Sequence, residues 1–225
     1  MKKVIGLYWF LLPVLLVLSC FYRPVIKEPD TQPESKLLFL EVTTPDSAQI
    51  PFVPRYKGKF KVTFYWIVEE KDYSGKRDTP IYLENGKLLG YFPRKFVEDF
   101  KKESCAELID GRRISYLKRV NRARIVKEFL GYGGYTIRPF QSVAVDPAVI
   151  PLGSKLYIPQ LAKVDRASVV AHTNLEEPGV VYAHDIGSMV NNHHIDIFVG
   201  YKKNLKLFYD AGITSSCLVD VYLLE

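Results

Sequence analysis

Long uncharged apolar runs are scarce in this 225-residue chain. The one at 4–18 follows Lys2 and Lys3 and ends in Val17-Leu18-Ser19-Cys20. It is too short for a membrane span and has the build of an export signal. A small residue before the cysteine marks Cys20 for lipidation after removal of residues 1–19, which places the mature chain on a membrane, facing the envelope. Cysteine is also scarce, with three in all. With Cys20 taken by lipid, Cys105 and Cys217 remain, and their spacing fits no metal site. In an oxidising compartment they are either a disulfide closing a long loop or two buried thiols. Acidic residues are missing from 111–127, where Arg112, Arg113, Lys118, Arg119, Arg122, Arg124 and Lys127 stand. The ordinary meaning of such a run is a solvated face, and contact with an anionic polymer is the alternative. The formal charge is +6, or +4 without Lys2 and Lys3. Outside the cell, nucleic acid is excluded as a partner. There is no internal repeat.

What is present is an ordinary globular composition, 48% hydrophobic and 25% charged, preceded by a stretch rich in proline at 24, 29, 33, 45, 51 and 54. Residues 20–58 read as a tether, and about 35 extended residues reach some ~100 Å. The folded domain is expected over 59–225, opening with a strand at 59–68 that is rich in β-branched and aromatic residues. Asn85-Gly86 between 81–83 and 87–89 predicts a hairpin, and 96–107 a short helix. Short apolar runs at 143–145, 155–158, 167–171, 180–183, 195–199 and 217–223 are separated by Gly and Pro. That pattern predicts a mainly β domain, a small barrel or sandwich with helical insertions at about 70–135.

Strand period orients the acids of this half. In 194–199, Ile195, Ile197 and Val199 share one face, so Asp196 and Phe198 share the other. A carboxylate beside an aromatic there suits the floor of a sugar groove. Asp185 ends an apolar run ahead of Ile186-Gly187, at a strand end. Asp146 precedes Pro147 and is placed to cap the turn into Ile150-Pro151-Leu152-Gly153. His184, His193 and His194 crowd the same region. In a sugar groove such histidines donate hydrogen bonds more often than they bind metal, so no metal and no cofactor is assigned. Tyr65 is the aromatic favoured for the groove.

The ordered pieces Ser142-Val143-Ala144-Val145-Asp146-Pro147, Val149-Ile150-Pro151-Leu152-Gly153-Ser154, Ala183-His184-Asp185-Ile186-Gly187 and His194-Ile195-Asp196-Ile197-Phe198 closely resemble the three-aspartate (3D) domain family. Its members include membrane-bound lytic transglycosylases. The resemblance implies a six-stranded double-psi β-barrel. It also implies cleavage of the β-1,4 bond between N-acetylmuramic acid and N-acetylglucosamine, leaving 1,6-anhydro ends. Asp196 falls on the acid and base of the family, Asp185 on its neighbour, and Asp146 on a supporting position. Tyr65, His184, Asn191, Asn192 and Phe198 are the expected substrate contacts, with peptidoglycan strands as partner. Apart from the resemblance, Phe21 directly after Cys20 gives no retention signal of the aspartate type, so if the cell has two membranes the expected location is the outer one, facing the periplasm. The chain departs from the family after Gly187, reading Ser188-Met189-Val190-Asn191-Asn192 where a further glycine and a lysine-glycine pair are usual. The altered loop leaves open a barrel that binds glycan or a partner without cutting.

Overall fold

The computed structural model describes residues 54–167 and 177–224. Cys20, the signal at 1–19 and nearly all of the tether therefore lie outside the described residues, as does the strand expected at 167–171 beyond its first residue. Strand β1 (Arg55–Glu69) starts ahead of the expected strand because its first residues find a partner at the other end of the chain, where Arg55 pairs with Leu223. Its middle alternates as a half-buried strand should, with Phe60, Val62 and Phe64 inward and Thr63 toward the outer side.

The segment from Glu70 to Val126 forms a second layer. Hairpin strands β2 (Arg77–Tyr82) and β3 (Leu88–Pro93) flank the turn containing Gly86, at φ 83°, where Asn85 accepts from the Lys87 N–H. Helix α1 (Arg94–Glu103) follows, burying Phe96, Val97, Phe100 and Glu103 on one stripe. It stops earlier than the expected 96–107. Ser104 turns left-handed at φ 65°, and the next residues become β4 (Cys105–Glu107), recruited in parallel by the end of β1. Strands β5 (Arg113–Leu117) and β6 (Arg122–Val126) complete this sheet. The basic run lies here, and three of its seven bases are paired locally: Arg112 with Asp110, Arg113 with Glu107, and Arg124 with both oxygens of Glu84.

The rest of the chain closes a barrel. Its strands are β7 (Ser142–Ala144), β8 (Lys155–Tyr157), β9 (Val180–Asp185), β10 (His194–Tyr201) and β11 (Leu218–Leu224), with helix α2 (Leu205–Asp210) before the last. The ring runs β1, β10, β7, β9, β8, β11 and back to β1, so these six strands leave one another no free edge. The pairs β1–β10 and β7–β9 are parallel and the other four antiparallel. Phe60, Val62, Leu156, Ile195, Ile197 and Val221 are each no more than 1% exposed and fill the interior. The architecture is the mainly β, six-stranded double-psi barrel that the resemblance implies, with helical and hairpin insertions.

Cys105 and Cys217 are free thiols. Cys105 sits under β1, where its Sγ donates to the Trp66 carbonyl at 3.3 Å, whereas Cys217 packs against the barrel interior. They belong to different apolar clusters, so the disulfide alternative is not formed.

Candidate active site

The barrel's outer surface carries one row of short and acidic side chains. Thr63 of β1 stands opposite Asp196 of β10, Asp196 opposite Ala144 of β7, and Ala144 opposite Asp185 of β9. Residues opposite one another on neighbouring strands point to the same side, so both aspartates share a face with only a methyl group between them. Their backbones are two strand spacings apart, roughly 10 Å. The register slips by one residue at His184, and that bulge lets Asp185 take the outward position beside Ala144 while Ala183 stays in the core opposite Val143.

Asp196 accepts from Thr63 Oγ1 at 2.7 Å. Burial raises its carboxyl above the ordinary aspartate range, and the charge of Asp185 adds to the rise, against the Thr63 hydrogen bond and the charges of His194 and Lys102. Asp185 is raised by burial too, opposed by the N–H groups of Ile186 (2.9 Å) and Tyr132 (3.0 Å) and by a long contact from Tyr65 Oη (3.4 Å). The Tyr132 bond is available because Gly131 lies flat on β9: a Cβ there would meet the His184 carbonyl at 2.2 Å.

Two expected substrate contacts are corrected. Phe198 is 1% exposed and Tyr65 8%, their rings 5.0 Å apart in a cluster with Ile67, Cys105, Phe129 and Ile137. The second layer covers them, so they support the acids from below and offer sugar no open ring face. His184 is half-buried and stacked between Tyr135 and Tyr182 (5.1 and 5.2 Å), its Nδ1 at 2.9 Å from Ser142 Oγ. Asn191 and Asn192 are exposed on the loop beyond β9. Asn192 takes the left-handed conformation, φ 57°, which asparagine tolerates best after glycine. Its N–H donates to Asp146 Oδ2 at 2.7 Å, while Asp146 Oδ1 accepts from Ala148. These backbone donors hold the Asp146 carboxyl below its ordinary range. Asp146 thus ties the altered loop to the turn after β7 and lies off the row of the other two acids. His193 packs on Phe60 at 4.7 Å, and His194 points the other way, toward Thr63.

Thr63 and Glu103 join the site beyond the residues expected from sequence. Thr63 shares the outward face of β1 with Tyr65, a period-2 signal that was available. Glu103 stands three and seven residues after Phe100 and Phe96, on the apolar stripe of α1, an odd place for a charge. It is 7% exposed, accepts from the Trp66 N–H, lies 3.5 Å from Lys102 Nζ and interacts with Asp196. Burial pushes its carboxyl up to about 7. Between the ordinary glutamate value of 4.5 and about 7, the folded chain holds a proton here that the unfolded chain has lost. Stability must therefore fall as pH rises through that window. Glu103→Gln is expected to remove this fall, so its advantage in urea midpoint over the wild type grows from pH 4.5 to 7 and then levels off. Parallel pH dependence of the two proteins is the contrary result.

Residues 141–225 match the 3D domain model. Among solved structures, its fold is similar to that of MltA of E. coli with bound chitohexaose, at 13% identity and a TM-score of 0.53 over 75% of this chain and 72% of that one. Another similar structure is the membrane-bound lytic murein transglycosylase of Agrobacterium tumefaciens, at 15% identity and a TM-score of 0.49 over 75% and 74%. No curated protein matches by sequence.

Proposed function

We propose that the protein is a lytic transglycosylase of peptidoglycan, held at the cell envelope by lipid on Cys20, with Asp196 as its acid and base. The observation that carries this reading is the half-buried Asp196 carboxyl, its proton affinity raised, in one outward row with Asp185. A single carboxyl of that kind serves twice. It gives its proton to the oxygen of the leaving N-acetylglucosamine. It then takes the proton of the muramic acid C6 hydroxyl as that oxygen closes the 1,6-anhydro ring, so no water is consumed and the carboxyl ends as it began. An ordinary glycosidase needs two carboxyls at a set separation to place water or form a covalent intermediate. The negative charge of Asp185 favours the protonated form of Asp196 before the bond breaks. That the E. coli protein was solved with chitohexaose supports a β-1,4-linked amino-sugar chain as ligand.

Digestion of purified sacculi by the mature protein is expected to release muropeptides with anhydro ends, identified by mass spectrometry. Reducing ends in their place would mean a hydrolase. The second reading is a barrel that binds glycan without cutting, and the buried rings of Tyr65 and Phe198 favour it by leaving the groove floor without a stacking surface. Sedimentation with sacculi and no released product is the outcome that selects it.

A further inference from the structure

One threonine proton sits between two groups that both titrate. Thr63 Oγ1 lies 2.7 Å from Asp196 Oδ1 and 2.8 Å from His194 Nε2. On its far side, His194 Nδ1 lies 3.1 Å from the Met189 carbonyl oxygen. A carbonyl only accepts, so Nδ1 must carry a hydrogen, and the state of Nε2 is tied to that of the carboxyl. With one proton shared between the carboxyl and the imidazole, two arrangements satisfy every contact. In one, Asp196 is ionised, Thr63 donates to it, and a doubly protonated His194 donates from Nε2 to Thr63. In the other, Asp196 is protonated and donates to Thr63, Thr63 donates to Nε2, and the imidazole is neutral. They differ only by one proton leaving Nε2 and one arriving on Oδ1, passed through the hydroxyl, with no heavy atom moved.

We propose that Asp196, Thr63 and His194 form one proton-sharing unit, in which Thr63 and His194 are positioning residues that set the protonation of Asp196. An ionised Asp196 beside a neutral imidazole leaves either the carboxylate or Nε2 facing a lone pair of the hydroxyl. That arrangement is disfavoured in a half-buried site. The unit therefore holds one proton that belongs to the pair and to neither residue alone. Among the described residues, the other titratable groups interacting with Asp196 are Asp185, Lys102, Glu103 and Tyr65. The loop that departs from the family supplies the Met189 carbonyl that fixes the imidazole, so this stretch has a task that its missing lysine would not reveal.

The inference rests on Asp196 as the acid and base for its catalytic meaning, but its test does not need activity. The imidazole nitrogens of His194 are followed by NMR against pH in the full mature protein, with His193 as internal reference. Asp196→Asn is expected to shift the His194 Nε2 resonance, through loss of the carboxyl that shares its proton. In a Thr63→Val background, the same substitution should shift it by much less. Thr63→Ser, which keeps the hydroxyl, should restore the full shift. An equal shift with and without the hydroxyl, or none in either, overturns the proposal. Coupled titration without cleavage of sacculi would leave the proton-sharing unit standing and remove the proposed function. Cleavage with independent titration would do the reverse.

Discussion

Asp196→Asn is expected to cut glycan cleavage by about 10²–10⁴-fold, the usual worth of a positioned acid and base. The protein should become no less stable at pH 7. Both halves follow from the same environment. The amide fits the volume of the carboxyl and can accept from Thr63, but it has no proton to give to the leaving oxygen and cannot take one from C6. In the wild type, burial raises the Asp196 carboxyl above its unfolded value, so the folded chain binds the extra proton in that window. Stability contributed there is present at low pH and lost as pH rises through the folded value, and at neutral pH the charged carboxylate opposes folding. A neutral amide lifts that opposition. The measurement pairs a time course of anhydro-muropeptide release with thermal unfolding at pH 7. A variant that cleaves at wild-type rate would remove Asp196 from the chemistry. One that is inactive but unfolded would not bear on it, and Asp196→Ser then serves as the smaller, uncharged replacement.

Phe198→Ala is the substitution with the largest expected cost to the fold, about 3–5 kcal/mol for a buried phenylalanine. For a chain of this size, that is a fall in thermal midpoint of roughly 6–20 °C. Phe198 is one residue pair along β10 from Asp196, and its ring supports Tyr65, whose hydroxyl reaches Asp185. A groove-floor residue that stacked on sugar would show its loss mainly as weaker substrate binding, with stability near that of the wild type. The burial at 1% demands the opposite order. Urea unfolding compared with sacculus binding decides between them, and an unchanged unfolding midpoint would refute the buried role.

That contrast also marks what the sequence could and could not disclose. The period-2 pattern of 194–199 contains the direction of Asp196, because inward and outward sides alternate whatever the strand packs against. It does not contain the fate of Phe198, which depends on Cys105, Phe129 and Ile137 arriving from another part of the chain. The turn at Asp146 was readable because the Ala148 bond is local, whereas the bond from Asn192 spans 46 residues and was not. Helix α1 was expected to run to 107 on local propensity, and the pairing of Val68 with Ala106 overrode it. Glu103 was legible only as an anomaly, a charge on an apolar stripe, and its nearness to Asp196 needed the fold.

The closed ring has a consequence for timing. Thr63 and Asp196 are 133 residues apart, and β1 is held between β10 and β11, the last two strands of the chain. Contacts of that separation form late, after much loop entropy has been lost. A chain emerging from its amino end would therefore carry most of β1 without its barrel partners until nearly all of it had emerged, with only Val68 and Glu69 paired earlier, to β4. The acid row cannot exist in a partly emerged chain or in one truncated before β10. Whatever this site does, it gains that power only when nearly the whole chain is available to fold.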